Sequence, residues 1–410
     1  MQRSSCPFVL DPTGRDLRGE TALLSARGPA TLVELPGGVR AWSVTGYELA
    51  RRLMLDPRVS KDAYRHWPAW ISGEVDHTWP LAMWVSVQNM LTAYGDEHHR
   101  LRRLVVKAFT ARRTASLKPR IESIVNELLD DLAALPPGET VDLKQRFSYP
   151  LPIRVICEML GIEERLRDDL HRVVDVLFTT TTTAEEAQAN QFELYRLLSE
   201  LVAGKRANPG ADMTSDLIAA RDEGDGTGLS EKELVDTLLL IIGAGHETTV
   251  NLLDQAVLAL LTHPEQRELV RDGRATWDDV IEETLRARGP VANIPLRFAV
   301  EDIEAGDVLI AAGDAILISV LGAGHDRVQH GEDATAFDIT RATRRDHIAF
   351  GHGAHHCPGA PLARLEASLA LPALFERFPG LSLAVPVDEL RPLPSFISYG
   401  HQELPVRLKH

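Results

Sequence analysis

The chain has 410 residues, 44% hydrophobic and 25% charged, a balance that excludes wholesale disorder and any fibrous repeat. A formal net charge of −15 argues against wrapping around nucleic acid. Three scattered cysteines, Cys6, Cys157 and Cys357, do not make a disulfide framework and point to a reducing, cytoplasmic compartment.

The amino-terminal residues carry charges and no apolar run, so neither a signal peptide nor an anchor is expected. Thr31–Leu35 and Val39–Val44 read as strands around the turn Pro36-Gly37-Gly38, and a helix follows over Tyr47–Leu55, stopped at Asp56-Pro57. Residues 60–95 hold Trp67, Trp70, Trp79 and Trp84, interrupted by Pro68, Gly73 and Pro80. They read either as an irregular loop plugging a core or as an aromatic lid over an apolar ligand. From Glu97 to about Phe375 the pattern is mainly helical, with apolar residues at helical spacing in Ile121–Leu135, Ile153–Leu160 and Leu194–Val202. One hairpin is predicted, from Asp307–Ile310 through Ala311–Asp314 to the alternating Ile316, Ile318 and Val320. Leu404, Val406 and Leu408 alternate near the end. The class is mainly α with small β-sheets, and with no dividing linker residues 1–410 read as one domain.

Within the helical part, Ser230-Glu-Lys-Glu233 is a capping box, and the apolar pattern then runs without proline to His263-Pro264. About 33 residues at 1.5 Å each give a helix on the order of 50 Å. Its middle, Gly243-Ala-Gly-His-Glu-Thr-Thr249, puts two glycines beside an acid and two hydroxyls. The glycines can admit a close neighbour, and Thr248 can bond back to the carbonyl of Ala244. The same segment can open a groove in which Glu247 and Thr248 deliver protons to something bound against the helix.

Phe350-Gly-His-Gly-Ala-His-His-Cys357-Pro-Gly359 carries the densest chemistry. It presents one cysteine just before a helix start, where an anion is stabilised, so a thiolate of depressed pKa is expected. His352, His355 and His356 crowd it, and zinc is the first competing idea, but no second Cys/His pair lies near in sequence. A single thiolate facing a helix groove better suits the axial ligand of a haem.

The loop Phe350–Gly359, the segment Ala244–Thr249 and Glu283-Thr-Leu-Arg286 stand in the order and spacing of cytochromes P450. The chain resembles their soluble bacterial class, most of all actinobacterial enzymes acting on macrolides and steroids, with further matches from Leu35-Pro-Gly-Gly38 to Leu404-Pro-Val-Arg407. That resemblance implies haem b held between a long central helix and the cysteine loop, and a monooxygenase taking O2 and two electrons. NAD(P)H would supply the electrons through a ferredoxin reductase and a ferredoxin. Cys357 would ligate the iron, and Glu247 and Thr248 would be the acid–alcohol pair. His98, Arg102, Arg297 and His355 would bind the haem propionates, while Ala244, Phe350, Gly351 and Gly359 would line the cofactor.

By spacing alone Glu283 and Arg286 look like a surface ion pair; the resemblance makes them a structural pair joined by Arg341. It also suggests a substrate pocket walled by Trp84, Phe178, Leu240, Ala244 and Thr248, by Val291, Ala292, Asn293 and Ile294, and by Phe396 and Ile397. Arg100, Arg102, Arg103, Lys107, Arg112 and Arg113 form a basic run where a ferredoxin would dock, with Arg103, Arg112 and Arg113 expected to be free. Pro358 is expected to withhold one N–H from the sulfur. Two segments depart from the family pattern: Gly322-Ala-Gly-His-Asp326 and Gly400-His401-Gln402.

Overall fold

A computed structural model describes residues 6–136, 138–174, 179–221 and 226–408. The helices that matter here are α1 (Gly95–Val106), α2 (Ala111–Ala133), α3 (Pro150–Leu160), α4 (Ala184–Ala207), α5 (Glu231–Thr262), α6 (Trp277–Ala287) and α7 (Ala360–Arg377). Ser230 Oγ accepts from Glu233 N at 3.3 Å while Glu233 Oε2 accepts from Ser230 N at 2.7 Å, so α5 starts at its capping box. Thr183 with Glu186 and Thr276 with Asp279 start α4 and α6 in the same way. From Thr249 to Leu260 every side chain of α5 is buried, because α3, α4, α6 and α7 all pack on it. No helix among the described residues is long and apolar enough to cross a membrane.

The larger sheet has six strands, β1 (Phe8–Val9), β2 (Ala30–Leu35), β3 (Val39–Val44), β4 (Val59–Ser60), β5 (Asn293–Ala299) and β6 (Ala315–Ser319), in the order β1-β2-β3-β6-β5-β4. The β2–β3 turn and the helix Tyr47–Leu55 fall where the sequence places them. The predicted hairpin does not form. Val308–Ile310 pairs with Ile303–Ala305, whereas β6 lies between β3 and β5 in the other sheet. All five residues of β6 are buried; a two-stranded hairpin would have left one apolar face in water, and a central position covers both. Asp314 makes the separation, its carboxylate accepting from Trp42 Nε1 at 3.0 Å and Ala311 N at 2.9 Å.

The tryptophan segment resolves towards the core. Trp67, Trp70 and Trp79 are buried in one apolar cluster with Phe298, whose ring stacks on Trp67 at 5.1 Å, and Trp79 Nε1 donates to Pro36 O at 2.8 Å. Only Trp84 is half-buried, packed against that cluster.

Candidate active site

In the middle of α5 the burial breaks. Ala244 is exposed and Gly245, Glu247 and Thr248 are half-buried, although the residues on either side are covered. Thr248 Oγ1 donates to Ala244 O at 2.6 Å, the backward bond expected from the sequence. Glu247 Oε1 accepts from Asn251 Nδ2 at 2.9 Å. Gly245 has a packing reason: a Cβ there would come within 3.1 Å of Ile156 Cδ1 on α3. The soft middle therefore serves close helix packing on one side and an open acid–alcohol surface on another.

The cysteine loop turns on Gly351 (φ +71°) and Gly353 (φ +70°), and a Cβ on Gly353 would meet Leu55 Cδ2 at 2.9 Å. Cys357 N donates to Phe350 O at 2.8 Å, which closes the loop. Burial pushes the Cys357 thiol up, against backbone N–H groups of Gly359 and Ala360 and the charges of Arg102 and Arg364. The expected low-pKa thiolate is thus corrected: the helix start alone does not outweigh desolvation, and a metal would have to displace the proton. Pro358 donates nothing, so the sulfur's backbone donors are the two amides that follow it.

Behind the loop, Arg364 lies over the Phe350 ring at 4.5 Å and reaches Glu282 with Nε at 2.6 Å and Nη2 at 3.1 Å. Burial works to raise Glu282, but hydrogen bonds from His347 and Arg364 win and hold it at about 2. No group of three or more His, Cys, Asp or Glu side chains suited to a bare metal ion occurs among the described residues.

Beside the loop lies a set of basic side chains. The His98 and His355 rings sit 4.1 Å apart, and Arg102 Nη2 donates to His356 O at 2.7 Å, so α1 is fastened to the loop. Arg297 is buried on β5 with Nη1 unpartnered, and burial pulls it down to about 10. His98 Nε2 is buried without a partner, and burial followed by the charge of Arg102 lowers His98 to about 4. His355 is driven down by burial, then by Lys61, His98, Arg297 and Arg102.

Lys61 is the member that sequence reasoning missed. It follows β4, whose register (Val59 opposite Ala299, Ser60 opposite Phe298) carries it towards Arg297. A register shift between Ile294 and Arg297 frees Pro295 O to accept Lys61 Nζ at 3.2 Å. Lys61 is 3% exposed, and burial with the Arg297 charge depresses it strongly. A lone lysine after a two-residue strand gives no periodic signal. Buried basic groups with nitrogens to spare, which an anion would hold in their charged forms, fit a dianionic pair such as haem propionates.

Glu283 and Arg286 are not a surface pair. Both side chains are fully buried, joined through Arg286 Nε at 2.7 Å and Nη2 at 2.6 Å, and Arg286 also reaches the carbonyls of Gly324, Ala334 and Ala336. Arg341 Nε stands 3.6 Å from Glu283 Oε1 and binds Asp333 and His330 O with Nη1. The Gly322–Asp326 departure is explained here: a Cβ on Gly324 would lie 2.0 Å from Arg286 O.

Of the pocket residues, Leu240, Val291 and Ile294 are half-buried like Thr248. Ala292, Phe396 and Ile397 are enclosed in the cluster that holds the tryptophans, and Asn293 Nδ2 donates to Phe396 O at 2.7 Å. Phe178 lies outside the described residues. In the basic run Arg113 is not free but pairs with Asp216 at 2.5 Å, Arg103 also has a partner, and Arg100 is taken by Glu97 and Glu233.

The helix opened at an acid–alcohol pair, the loop-borne cysteine and the buried basic groups together have the chemistry that a haem would need. The cytochrome P450 family model matches residues 164–273 and 275–394. The 2-hydroxy-5-methyl-1-naphthoate 7-hydroxylase of Streptomyces carzinostaticus is 46% identical, with 98% of each chain covered. The structure of CYP154A1 from Streptomyces coelicolor A3(2) superimposes with a TM-score of 0.92 at 54% identity, covering 98% of this chain and 100% of that one. CYP154C4 from Streptomyces sp. ATCC 11861, described as "Testerone bound", gives 0.95 at 47% identity over 99% of both. The chain belongs to the cytochrome P450 family. It is a P450 monooxygenase, and the family implies a haem cofactor and a small-molecule substrate.

Proposed function

We propose that this monooxygenase carries haem b on Cys357 and hydroxylates an apolar, steroid- or macrolide-sized molecule in the cytoplasm, residues 1–410 acting as one domain. The reading is carried by one juxtaposition: a cysteine whose sulfur takes two backbone N–H groups, beside the buried Arg297 and His98 with unpartnered nitrogens. When bound, haem supplies oxygen activation and the electron sink.

The chain does the rest. His98, Arg102, Arg297, His355 and Lys61 neutralise the propionates and fix the ring's orientation in the cleft. Thr248 Oγ1, turned back onto Ala244 O, and Glu247 beside it hold protons where reduced oxygen needs them. Leu240, Val291 and Ile294 offer apolar surface around that point, in keeping with the ring systems named for two relatives. Electrons come from NAD(P)H through a ferredoxin reductase and an acidic ferredoxin.

A carbon monoxide difference spectrum of the reduced protein tests the ligation; a band of the histidine-ligated type rather than the thiolate type overturns it. Titration with a panel of steroids, macrolides and naphthoates then tests the substrate class. A low-to-high-spin shift with steroids or macrolides supports it, and a shift with none of them overturns it.

A further inference from the structure

His401 and Asp254 have no part in haem or substrate binding as derived so far, and His401 belongs to the second departure from the family pattern. Glu247, Asn251 and Asp254 stand at i, i+4 and i+7 of α5, one stripe of the helix about 10 Å long. Asn251 Nδ2 donates to Glu247 Oε1 at 2.9 Å. At the other end His401 Nδ1 lies 3.0 Å from Asp254 Oδ2, and the imidazole is 14% exposed while Asp254 is fully buried. Between the two ends, Asn251 Oδ1 and Asp254 Oδ1 are both buried with no protein donor. Gly400 makes the approach possible, because a Cβ there would lie 2.2 Å from Asn251 Oδ1. The other charged groups packed here are Lys144, whose Nζ donates to His401 O at 2.5 Å, and Arg288, which is turned to Gln255 Oε1 at 3.3 Å. Neither reaches the Asp254 carboxylate, which leaves His401 as its partner.

A helix-to-loop clasp needs one hydrogen bond. It does not need a second buried carboxylate oxygen left without a protein donor on the same helix stripe as the equally unpartnered Asn251 Oδ1, at the cost that burial imposes. We infer that His401, Asp254 and Asn251 form a proton relay from solvent to Glu247. This rests on the monooxygenase reading above, in which each oxygen molecule consumes two electrons and two protons.

The imidazole takes a proton from water at Nε2 and releases the one on Nδ1 to Asp254 Oδ2. The protonated carboxyl of Asp254 turns about its Cβ–Cγ bond and gives that same proton to a water molecule held by Asn251 Oδ1, and that water hands one to Glu247. Asn251 is a positioning residue, since an amide holds the chain of bonds without carrying charge. No electrons move, and before the next proton the imidazole of His401 regains its Nδ1–H tautomer by proton exchange with water. A carboxyl carries at most one proton at a time, so the second in each turnover has to travel the whole path.

The test uses the haem-loaded protein with His401→Asn and Asp254→Asn. Asparagine at 401 keeps a donor near the Nδ1 position, so a clasp survives and a relay does not. The oxygenated protein is reduced by irradiation at liquid-nitrogen temperature and then warmed, and the EPR signal is followed in H2O and D2O. The first change on warming is expected as in wild type, and the second at a higher temperature with a larger deuterium effect. Oxygen consumption driven by a plant-type ferredoxin and its reductase should fall about tenfold or more, with no further loss in the double variant. Both variants should keep the wild-type melting temperature and carbon monoxide band. Wild-type warming behaviour and oxygen consumption in both variants overturn the relay. If one variant fails to fold, the other decides alone. A wild-type protein without a thiolate-type carbon monoxide band overturns the monooxygenase reading instead, and the relay with it.

Discussion

At the level of single residues the site separates into groups that hold the cofactor and groups that hold protons. Thr248 Oγ1 donates to its own helix carbonyl, Ala244 O, and to none of the residues placed around the propionates. Thr248→Ala should therefore keep the carbon monoxide band and the spin shift with substrate. Product per NAD(P)H should fall on the order of 10²-fold, the lower range for a lost positioned proton donor, with peroxide in its place. Product yield at the wild-type level would remove Thr248 from proton delivery.

Lys61 makes the opposite case. Burial first, and then the charge of Arg297, work against its ammonium form, and an anionic ligand would relieve both. Lys61→Met should raise the melting temperature of the haem-free protein and weaken haem retention. A charge-assisted hydrogen bond contributes about 1.5–3 kcal/mol, so haem release should quicken by roughly tenfold or more. Transfer of haem to apomyoglobin measures it, and unchanged release would exclude Lys61 from the propionate site.

At the level of elements, what the sequence made legible follows from how local each signal is. The cap of α5, the β2–β3 turn and the helix Tyr47–Leu55 depend on residues within a turn of one another, and all three stand where read. The Asp307–Val320 hairpin was misread because alternation cannot say whether the partner is the next strand or one far along the chain. Lys61 and the burial of Glu283 depend on strands and loops remote in sequence, to which periodicity is blind.

Glu366 on α7 is a further such residue. It is buried with Oε2 unpartnered, and burial alone pushes it up to about 8. A carboxyl whose folded pKa is raised binds more protons folded than unfolded. Its contribution is fully present below the ordinary Glu value near 4.5 and is lost as pH rises through about 8. Glu366→Gln should flatten the fall in stability between those two values, read as melting temperature against pH. An identical slope in the variant would mean that Glu366 is ionised in the folded state.

At the level of the whole molecule, a net charge of −15 would have to coexist with the acidic electron donor proposed above. The two are compatible only if cations are concentrated where the cysteine loop reaches the surface. Arg102 is fastened to that loop through His356 O, and Arg112 is exposed at the start of α2. Arg113 and Arg100 contribute less than their sequence spacing suggests, because Asp216, Glu97 and Glu233 already neutralise them. A docking field on this face would therefore be narrower than the basic run, and the rest of a chain of net charge −15 would repel an acidic donor. Such a field acts on encounter: it speeds association at low salt and fades once the Debye length falls to about 8 Å near physiological ionic strength. Arg112→Glu should slow ferredoxin-driven reduction at low salt by roughly tenfold, with little effect at high salt. Arg113→Glu should do so less, since it also releases Asp216. Stopped-flow reduction rates across a salt series measure both. Rates indifferent to salt and to Arg112→Glu would move the docking site off this face, and equal effects of the two variants would show that Asp216 does not neutralise Arg113.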